Sequence, residues 1–279
     1  MNNLLGRYVA TVALATTLLA CFGGSGSGGI NPPTKIVYMV EAGNTIIKYD
    51  LESHVRTPFL ALGSEVKHLR VSPDGRHLLY VQNDILRSVR DNTTEQRTFT
   101  GYKAGDWNAD GSKIFAVSSG DNIYSLNPDG TGASAALASG TNIESIDVDS
   151  AGTKMVVVWS NTGWKQVVHL TLGGTVVATL TNTGNSSELP RWSPDGANVV
   201  YDRDNTIWRN SATGTGATEE AIMGSVAYPS CPVYQKSGSI LFIRNGDLYQ
   251  ADADGTNSTS LYHSPNGLLS WPDPDTSGT

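Results

Sequence analysis

Charged residues and cysteines are both scarce in this chain of 279 residues. Asp, Glu, Lys and Arg together make up 16% of it, and the formal net charge is −7. No cluster of Lys or Arg interrupts this negative balance, which would repel a phosphate backbone, so we predict no nucleic-acid partner. The two cysteines, Cys21 and Cys231, are too few for a disulfide framework.

The common catalytic motifs are also missing. No G-x-S-x-G sequence occurs and the repeats described below leave no room for an α/β-hydrolase domain, which argues against a serine hydrolase. The five histidines are far apart, without an H-x-x-x-H or H-E-x-x-H pair. Aspartates before glycine, as in the run from Asp252 to Gly255, are turn formers before they are calcium ligands. We therefore predict no cofactor and no metal.

Long stretches with helical periodicity are absent after residue 20. The chain instead contains 30 glycines and many short runs of β-branched and aromatic residues between turn signals. This composition is typical of an all-β protein. With 39% hydrophobic residues, the chain is long enough to bury one sizeable core.

Residues 1–20 are typical of a secretory signal, with one positive charge at Arg7 and an apolar run over 8–19. The sequence from Leu18 to Cys21 resembles the lipobox of bacterial lipoproteins, which implies that Cys21 becomes the first mature residue and carries fatty acyl chains such as palmitate. Several acyl chains together hold a protein on a membrane. The alternative is an ordinary signal peptide with a chance cysteine nearby.

Residues 21–33 form a Gly/Ser-rich tether that Pro32 and Pro33 close. Phe22 follows the cysteine, where the resemblance to lipoproteins would require Asp for retention at the inner membrane. We therefore expect a lipid-anchored monomer in the cell envelope, on the periplasmic side of the outer membrane.

A unit of turn and strand recurs from residue 34 to the end of the chain. Its clearest copy runs from Arg191 to Tyr201, in which a Trp-Ser-Pro-Asp-Gly turn is followed by a β-branched strand. The steps between the turn glycines are 36, 41, 44, 42 and 40 residues, a period typical of four-stranded propeller blades. These glycines are Gly75, Gly111, Gly152, Gly196, Gly238 and Gly278.

The two ends of the repeat region complement each other. The first unit, from Lys35, lacks a first strand and its turn, whereas the segment 271–279 is a first strand and turn with nothing after it. A sheet shared between both termini would complete a ring of six blades and leave only outer strands as edges. The sequence therefore predicts a six-bladed β-propeller of four-stranded antiparallel blades over 34–279.

The repeat resembles that of the TolB-like six-bladed β-propellers. The pattern W-S-P-D-G-x-x-[VIL]-x-[YF], followed by [IL]-[YW] and a second glycine turn, carries this resemblance, although the unit around Gly152 lacks the Pro and Trp. TolB itself has an α/β domain ahead of its propeller, so the resemblance implies the fold and an envelope location rather than a Tol-Pal role. Related propellers are commonly binding platforms, and the fold alone does not select a function.

The inner strands supply the candidate binding residues. Three successive rows of side chains on them should surround the ring axis near one mouth of the channel. The simpler interpretation is that charges on neighbouring blades pair, as Arg70 with Asp106 and Arg191 with Asp147; the alternative is a binding site. The candidates are Lys67, His68, Arg70, Asp106, Glu144, Asp147, Glu188, Arg191, Trp271 and Asp273.

Two functions remain open at this stage. The first is a non-enzymatic envelope lipoprotein that binds a protein, peptide or glycan partner through its propeller. The second is a metal-assisted lyase or hydrolase with its site at the channel mouth, suggested by His68 and the surrounding acids. The repeat aromatics Trp107, Trp192 and Tyr234 are predicted to pack between blades, and Cys231 to be a free thiol with at most partial exposure.

Overall fold

The described part of the chain is a six-bladed β-propeller, which confirms the predicted fold class. In the computed structural model, the described residues are 35–277, apart from 92, 162, 182–183, 225–227 and 267. They form six antiparallel sheets of four strands each. No helix long and apolar enough to cross a membrane occurs within these residues.

The strands follow one another through each blade and then into the next. The first three blades consist of β1 (Ile36–Glu41), β2 (Thr45–Asp50) and β3 (Arg56–Ala61); β4 (Val66–Val71), β5 (His77–Gln82), β6 (Ile85–Arg90) and β7 (Gln96–Phe99); and β8 (Tyr102–Trp107), β9 (Ile114–Ser118), β10 (Asn122–Leu126) and β11 (Ala138–Ser139). The other three consist of β12 (Ile143–Val148), β13 (Lys154–Asn161), β14 (Trp164–Thr171) and β15 (Val176–Thr179); β16 (Glu188–Trp192), β17 (Asn198–Arg203), β18 (Thr206–Ser211) and β19 (Glu220–Met223); and β20 (Ser230–Tyr234), β21 (Ile240–Arg244), β22 (Asp247–Ala251) and β23 (Thr259–Tyr262).

The C-terminal strand β24 (Leu269–Pro274) completes blade 1 as its inner strand. It pairs with β1, placing Val37 opposite Pro274, Tyr38 opposite Asp273 and Val40 opposite Ser270. This pairing confirms the prediction that the end of the chain completes the first sheet. Gly278 and Thr279 lie outside the described residues.

A buried carboxylate also stabilises the closing seam between blades 6 and 1. Glu41 accepts a hydrogen bond of 2.6 Å from the Ser264 hydroxyl and one of 3.2 Å from Asn266, and it pairs with Arg56. These contacts hold the connection from β23 to β24 against the β1 to β2 hairpin.

The hydrophobic core consists of six clusters, one between each pair of neighbouring blades. Strand β5 shows how the sequence produces this arrangement. Its side chains alternate between two faces, so Leu78 and Tyr80 pack toward blade 1 while Leu79 and Val81 pack toward blade 3. Both faces of a blade are thus covered, which explains the almost continuous hydrophobic runs.

Local hydrogen bonds explain why the Ser-Pro-Asp-Gly sequence makes a turn. In blade 2, the Ser72 hydroxyl donates to Asp74 over 2.6 Å and accepts the His77 N–H over 2.9 Å. Gly75 follows with a φ of +69°, in the region that favours glycine.

Two faces of the ring can therefore be distinguished. We call the end where each inner strand turns into the second strand the turn face. The opposite end, where the second strand turns into the third and one blade leads to the next, is the hairpin face.

Candidate functional site

A cup of about 430 Å³ opens on the turn face around the ring axis. All six inner strands contribute to it through the residue before the repeat's aromatic position, which is occupied by an aromatic side chain in three of the blades. Its volume falls within the range usual for ligand sites. These six residues are Arg70, Asp106, Asp147, Arg191, Val233 and Asp273.

Two arginines reach across the axis at the floor of the cup. Arg70 extends from blade 2 to blade 4, where Nη2 donates to the Ile146 carbonyl over 3.2 Å and Nε lies 3.7 Å from Asp147. Arg191 extends from blade 5 to Asp147, at 3.2 Å, and to Asp273 of blade 1. The floor is therefore a network that joins blades which are not all neighbours.

The predicted charge pairs are present in this network. Arg70 Nε lies 3.8 Å from Asp106, and Arg191 pairs with Asp147 as described. The contacts thus agree with the simpler interpretation, in which charges on neighbouring blades pair with each other. It does not rule out binding, because the same side chains still line the cup.

The aspartates of the floor also join the blades through the backbone. Asp106 accepts the N–H of Val148 over 2.7 Å, and Asp147 accepts that of Trp192 over 2.8 Å. Each donor belongs to the inner strand of the next blade. Asp273 accepts the Val71 N–H over 2.6 Å in the same way at the seam between blades 1 and 2.

Burial shifts the ionisation of the floor. It raises the pKa of Asp106 to about 6, with the neighbouring charge of Asp147 adding to the effect. Burial, together with the positive charge of Arg70, lowers the pKa of Arg191 to about 10. Three carboxylates thus face two guanidiniums, so the floor carries a small excess of negative charge when all are ionised.

Prolines and aromatic rings form the wall of the cup, and polar side chains form its rim. Pro73 and Pro194 lie in the wall, while Ser150, Lys236 and Thr276 stand at the mouth. The predicted packing of Trp107, Trp192 and Tyr234 between blades is found: all three are buried and belong to inter-blade clusters. The cup thus combines prolines and aromatic rings in its wall with charged side chains in its floor.

The other five candidate residues do not line the cup, contrary to the expectation that all three rows would surround one mouth. They are Lys67, His68, Glu144, Glu188 and Trp271. A strand rises about 3.3 Å per residue along the axis, so positions two and three residues before the floor lie nearer the hairpin face. The cup and these residues are therefore separate parts of the channel.

His68 and Trp271 form an aromatic pair on the neighbouring blades 2 and 1, with ring centroids 4.5 Å apart. Burial and the charge of Arg70 lower the pKa of His68 to about 3, so its ring is neutral at ordinary pH. The convergence of His68 with the floor acids, which motivated the enzyme hypothesis, is not found. Among the described residues, no group of three or more His, Cys, Asp or Glu side chains is placed to hold a metal.

The inner strands of all six blades contain a bulge or register shift that the sequence analysis missed. In four consecutive blades a non-glycine residue at the bulge has a positive φ: Leu189, Cys231, Trp271 and His68. The first three are followed by proline, which cannot donate to a sheet ladder and is typical of bulges. A proline directly after the residue was therefore the signal in the sequence for these three bulges.

Lys165, in β14, was also missed. Its ammonium group lies 2.7 Å from Glu144 and 2.6 Å from Glu188, so it bridges blades 4 and 5 at the hairpin face. Lys67 instead pairs with the exposed Glu65 of its own connection, at 3.2 Å.

Cys231 is a partly buried free thiol, as predicted. Its burial raises the pKa to about 11, which keeps the sulfur protonated and weakly reactive. Cys21, the signal over 1–20 and the tether over 21–33 lie outside the described residues.

Comparison with known proteins supports the fold. No family model matches the chain, and no curated protein is a significant match. TolB from Acinetobacter baumannii is similar with a TM-score of 0.70 and 17% identity over 87% of this chain, which spans 66% of the length of that TolB.

Two further structures show the same likeness. A putative TolB from Agrobacterium tumefaciens has a TM-score of 0.67 at 15% identity, over 82% of this chain and 89% of its own. A chain of a nidogen/laminin complex has a TM-score of 0.71 at 12% identity, over 87% and 98%. At such identities the likeness concerns the fold alone, and by that measure the described part of the chain has a TolB-like six-bladed β-propeller fold.

Proposed function

We propose that this chain is a non-enzymatic binding platform of the cell envelope, and that the cup on the turn face receives a segment of a partner protein or a peptide. The cup itself carries the proposal, because it is the place where all six blades contribute to one concave surface with an apolar wall and a charged floor. The interlocked floor fixes its shape before any partner arrives, which reduces the entropic cost of binding.

The similar structures agree with a protein partner. One of them is a chain in a complex of nidogen and laminin, and two others are TolB proteins. Fold alone does not select a function, whereas the cup and its fixed floor are specific features of this chain that support binding.

The proposed location rests on the sequence before residue 34. We propose that residues 1–20 direct export, that acylated Cys21 anchors the chain, and that 21–33 is a tether. The carbonyl of Ile36 at the start of β1 accepts the Asp275 N–H over 2.8 Å, so the chain enters the ring on the turn face. A fully extended tether would span at most about 45 Å, which keeps the cup within reach of membrane-associated partners.

Photo-crosslinking in the native envelope tests the cup. A photoreactive amino acid replaces Ser150 or Thr276, both exposed at the mouth, and Val177 on the outer strand β15 serves as the matched control. We expect the same protein adduct from both cup positions and none from position 177. Adducts indistinguishable from a sample kept in the dark, or equal yields from all three positions, would contradict the proposal.

Metabolic labelling tests the anchor independently. The full chain should incorporate an alkyne-bearing palmitate analogue and fractionate with membranes, and Cys21→Ser should lose both properties. A Cys231→Ser variant is the control and should keep them. Unchanged labelling of Cys21→Ser would refute the lipoprotein assignment while leaving the cup proposal intact.

A further inference from the structure

The hairpin face carries large apolar side chains that the protein leaves in solvent. Among the described residues, Trp164 is 43% exposed, Tyr228 65% and Leu268 71%. They belong to blade 4, to the connection from blade 5 to blade 6, and to the connection from blade 6 to blade 1. Exposed apolar side chains scattered singly need no explanation, but these three lie on one face along half of the ring.

The exposure of Leu268 is fixed by its backbone. Its carbonyl accepts the N–H of Ala42 over 3.1 Å, and the next residue, Leu269, donates to the Gly246 carbonyl over 2.8 Å. Leu268 therefore lies between the hairpin tips of blades 1 and 6. A side chain held in the open in this way is available to a partner without further ordering.

Negative charge accompanies this apolar surface. Glu188, Asp202 and Asp204 lie on blade 5, between Trp164 and Tyr228 in blade order, and the side chain of Glu188 is 47% exposed. Burial and, to a smaller extent, the charge of Glu188 raise the pKa of Asp202 to about 7.

Lys165 and Arg203 of this sector already pair with carboxylates, whereas Arg244 of blade 6 donates to Ser258 over 3.1 Å and lies over the rings of Phe242 and Tyr249. Lys165 is shared between Glu144 and Glu188. Arg203 pairs with Glu219 at 2.5 Å and lies 3.8 Å from the centre of the Trp208 ring, on the side of blade 5. An excess of acidic groups beside exposed aromatic rings is thus left facing the solvent.

We propose that the hairpin face of blades 4 to 6, including Leu268 at its edge, is a second docking surface, and that its occupant is a protein segment with basic residues beside an aromatic or aliphatic anchor. Basic groups would meet Glu188 and Asp204 and the faces of Trp164 and Tyr228, while the anchor would cover Leu268. An anionic lipid surface would be repelled by the same carboxylates, so a membrane does not fit this face. This surface is separate from the cup and does not depend on the function proposed above.

A binding measurement with defined probes tests this surface. The probe is a fluorescein-labelled dodecapeptide of alternating Arg and Trp, and the comparison probe has Glu in place of Arg. Anisotropy is recorded with the full chain in detergent. We expect the basic probe to bind at micromolar concentrations and the acidic probe at least tenfold more weakly.

Variants locate the binding. Trp164→Ser with Tyr228→Ser, and Glu188→Gln with Asp204→Asn, should each weaken binding of the basic probe at least fivefold. Val177→Ser removes an equally exposed apolar side chain elsewhere, and Glu52→Gln with Glu95→Gln removes the same charge from other exposed sites. Both controls should stay within twofold of the unmodified chain, and thermal unfolding should show that every variant is folded.

Several results would overturn the proposal. The first is that the basic probe does not bind even at concentrations 100-fold above the micromolar range. The others are equal binding of both probes and equal losses of binding in the hairpin-face and control variants. Loss of binding with Lys236→Glu at the rim of the cup, together with intact binding in the hairpin-face variants, would also overturn it, because the probe would then occupy the cup.

Discussion

Asp147 shows how one side chain joins two neighbouring blades. One carboxylate oxygen accepts the Trp192 N–H over 2.8 Å, and the other lies 3.2 Å from Arg191 Nε. The Trp192 indole N–H in turn donates to the Asp147 carbonyl over 3.2 Å. The floor of the cup is therefore also part of what holds the ring together.

Removal of this carboxylate should destabilise the whole protein. Asp147→Ala leaves the Trp192 N–H without its acceptor and Arg191 with one partner fewer, so the free energy of unfolding should fall by about 3 kcal/mol. Urea unfolding measures this change. Asp110→Ala removes an exposed turn carboxylate that accepts the Ser112 N–H, and it should cost clearly less than Asp147→Ala. Equal losses would show that the floor does not join the blades.

The pKa of Asp106 gives the floor a predictable pH dependence. Because the folded-state pKa is raised to about 6, the folded protein binds this proton more tightly than the unfolded chain does. The stability that this proton gives to the folded protein is fully present when the pH is below the pKa of the unfolded state. It is lost as the pH rises through the pKa of the folded state. Relative to Asp106→Asn, the unmodified protein should lose on the order of 2 kcal/mol between pH 4 and pH 7. Urea unfolding at several pH values measures this change. A difference in stability between the two proteins that stays constant with pH, or that changes in the opposite direction, would contradict the prediction.

At the scale of elements, the second glycine turn of a repeat determines how closely neighbouring blades approach. Gly255 has a φ of +81°, and a Cβ atom there would lie 2.0 Å from the Ile222 carbonyl oxygen of blade 5. Gly174 stands in the same relation to Leu137 at the seam between blades 3 and 4. These glycines therefore serve the seam as well as the turn.

Substitution of Gly255 should separate these two roles. Gly255→Ala adds a clash with the neighbouring blade to the strain of a positive φ, and it should lower the free energy of unfolding by about 3 kcal/mol. Gly43→Ala is the control, since Gly43 has a φ of +76° with nothing within 4 Å, and it should cost about 1 kcal/mol. Thermal unfolding of the two variants compares these losses of stability. Equal losses would mean that the close approach of Gly255 to blade 5 does not add to the cost of the substitution.

The sequence predicted those elements whose causes are local. The turn at Ser72 to Gly75 depends on bonds within five residues, and the alternating runs follow from burial on both faces of a blade. The bulges at Leu189 and Cys231 were not predicted, although the proline that follows each residue was a local signal for them. The bridge at Lys165 was not predicted because it joins two neighbouring blades. The row of floor residues was placed correctly, because each of them is set by its position in the repeat. His68 and Trp271 were expected at the same mouth of the channel, but they do not line the cup.

At the scale of the whole molecule, closure of the ring depends on a strand from the other end of the chain. Strand β24 covers one edge of β1, and Leu269 joins Val37 and Met39 in the cluster between blades 6 and 1. Without β24, this cluster would lose Leu269 and the floor of the cup would lose Asp273.

Deletion of residues 269–279 should therefore abolish cooperative folding, whereas a circular permutant that keeps β24 and opens the chain elsewhere should still fold cooperatively. The permutant links residue 277 to residue 35 by a short Gly/Ser segment and opens the chain at Gly63, in the exposed connection between blades 1 and 2. We expect one cooperative thermal transition for the permutant and none for the truncated chain. A cooperative transition in the truncated chain would contradict closure by β24.

Native-state hydrogen exchange of the full chain tests the closed ring most directly. If β24 is an integral inner strand, the hydrogen-bonded amides of β1 and β24 should open with the same free energy as those of β5 and β21, in one global unfolding step. If β24 instead exchanges several kcal/mol more easily while β5 and β21 stay protected, the ring is not held closed by the pairing of its two ends, which contradicts the predicted closure.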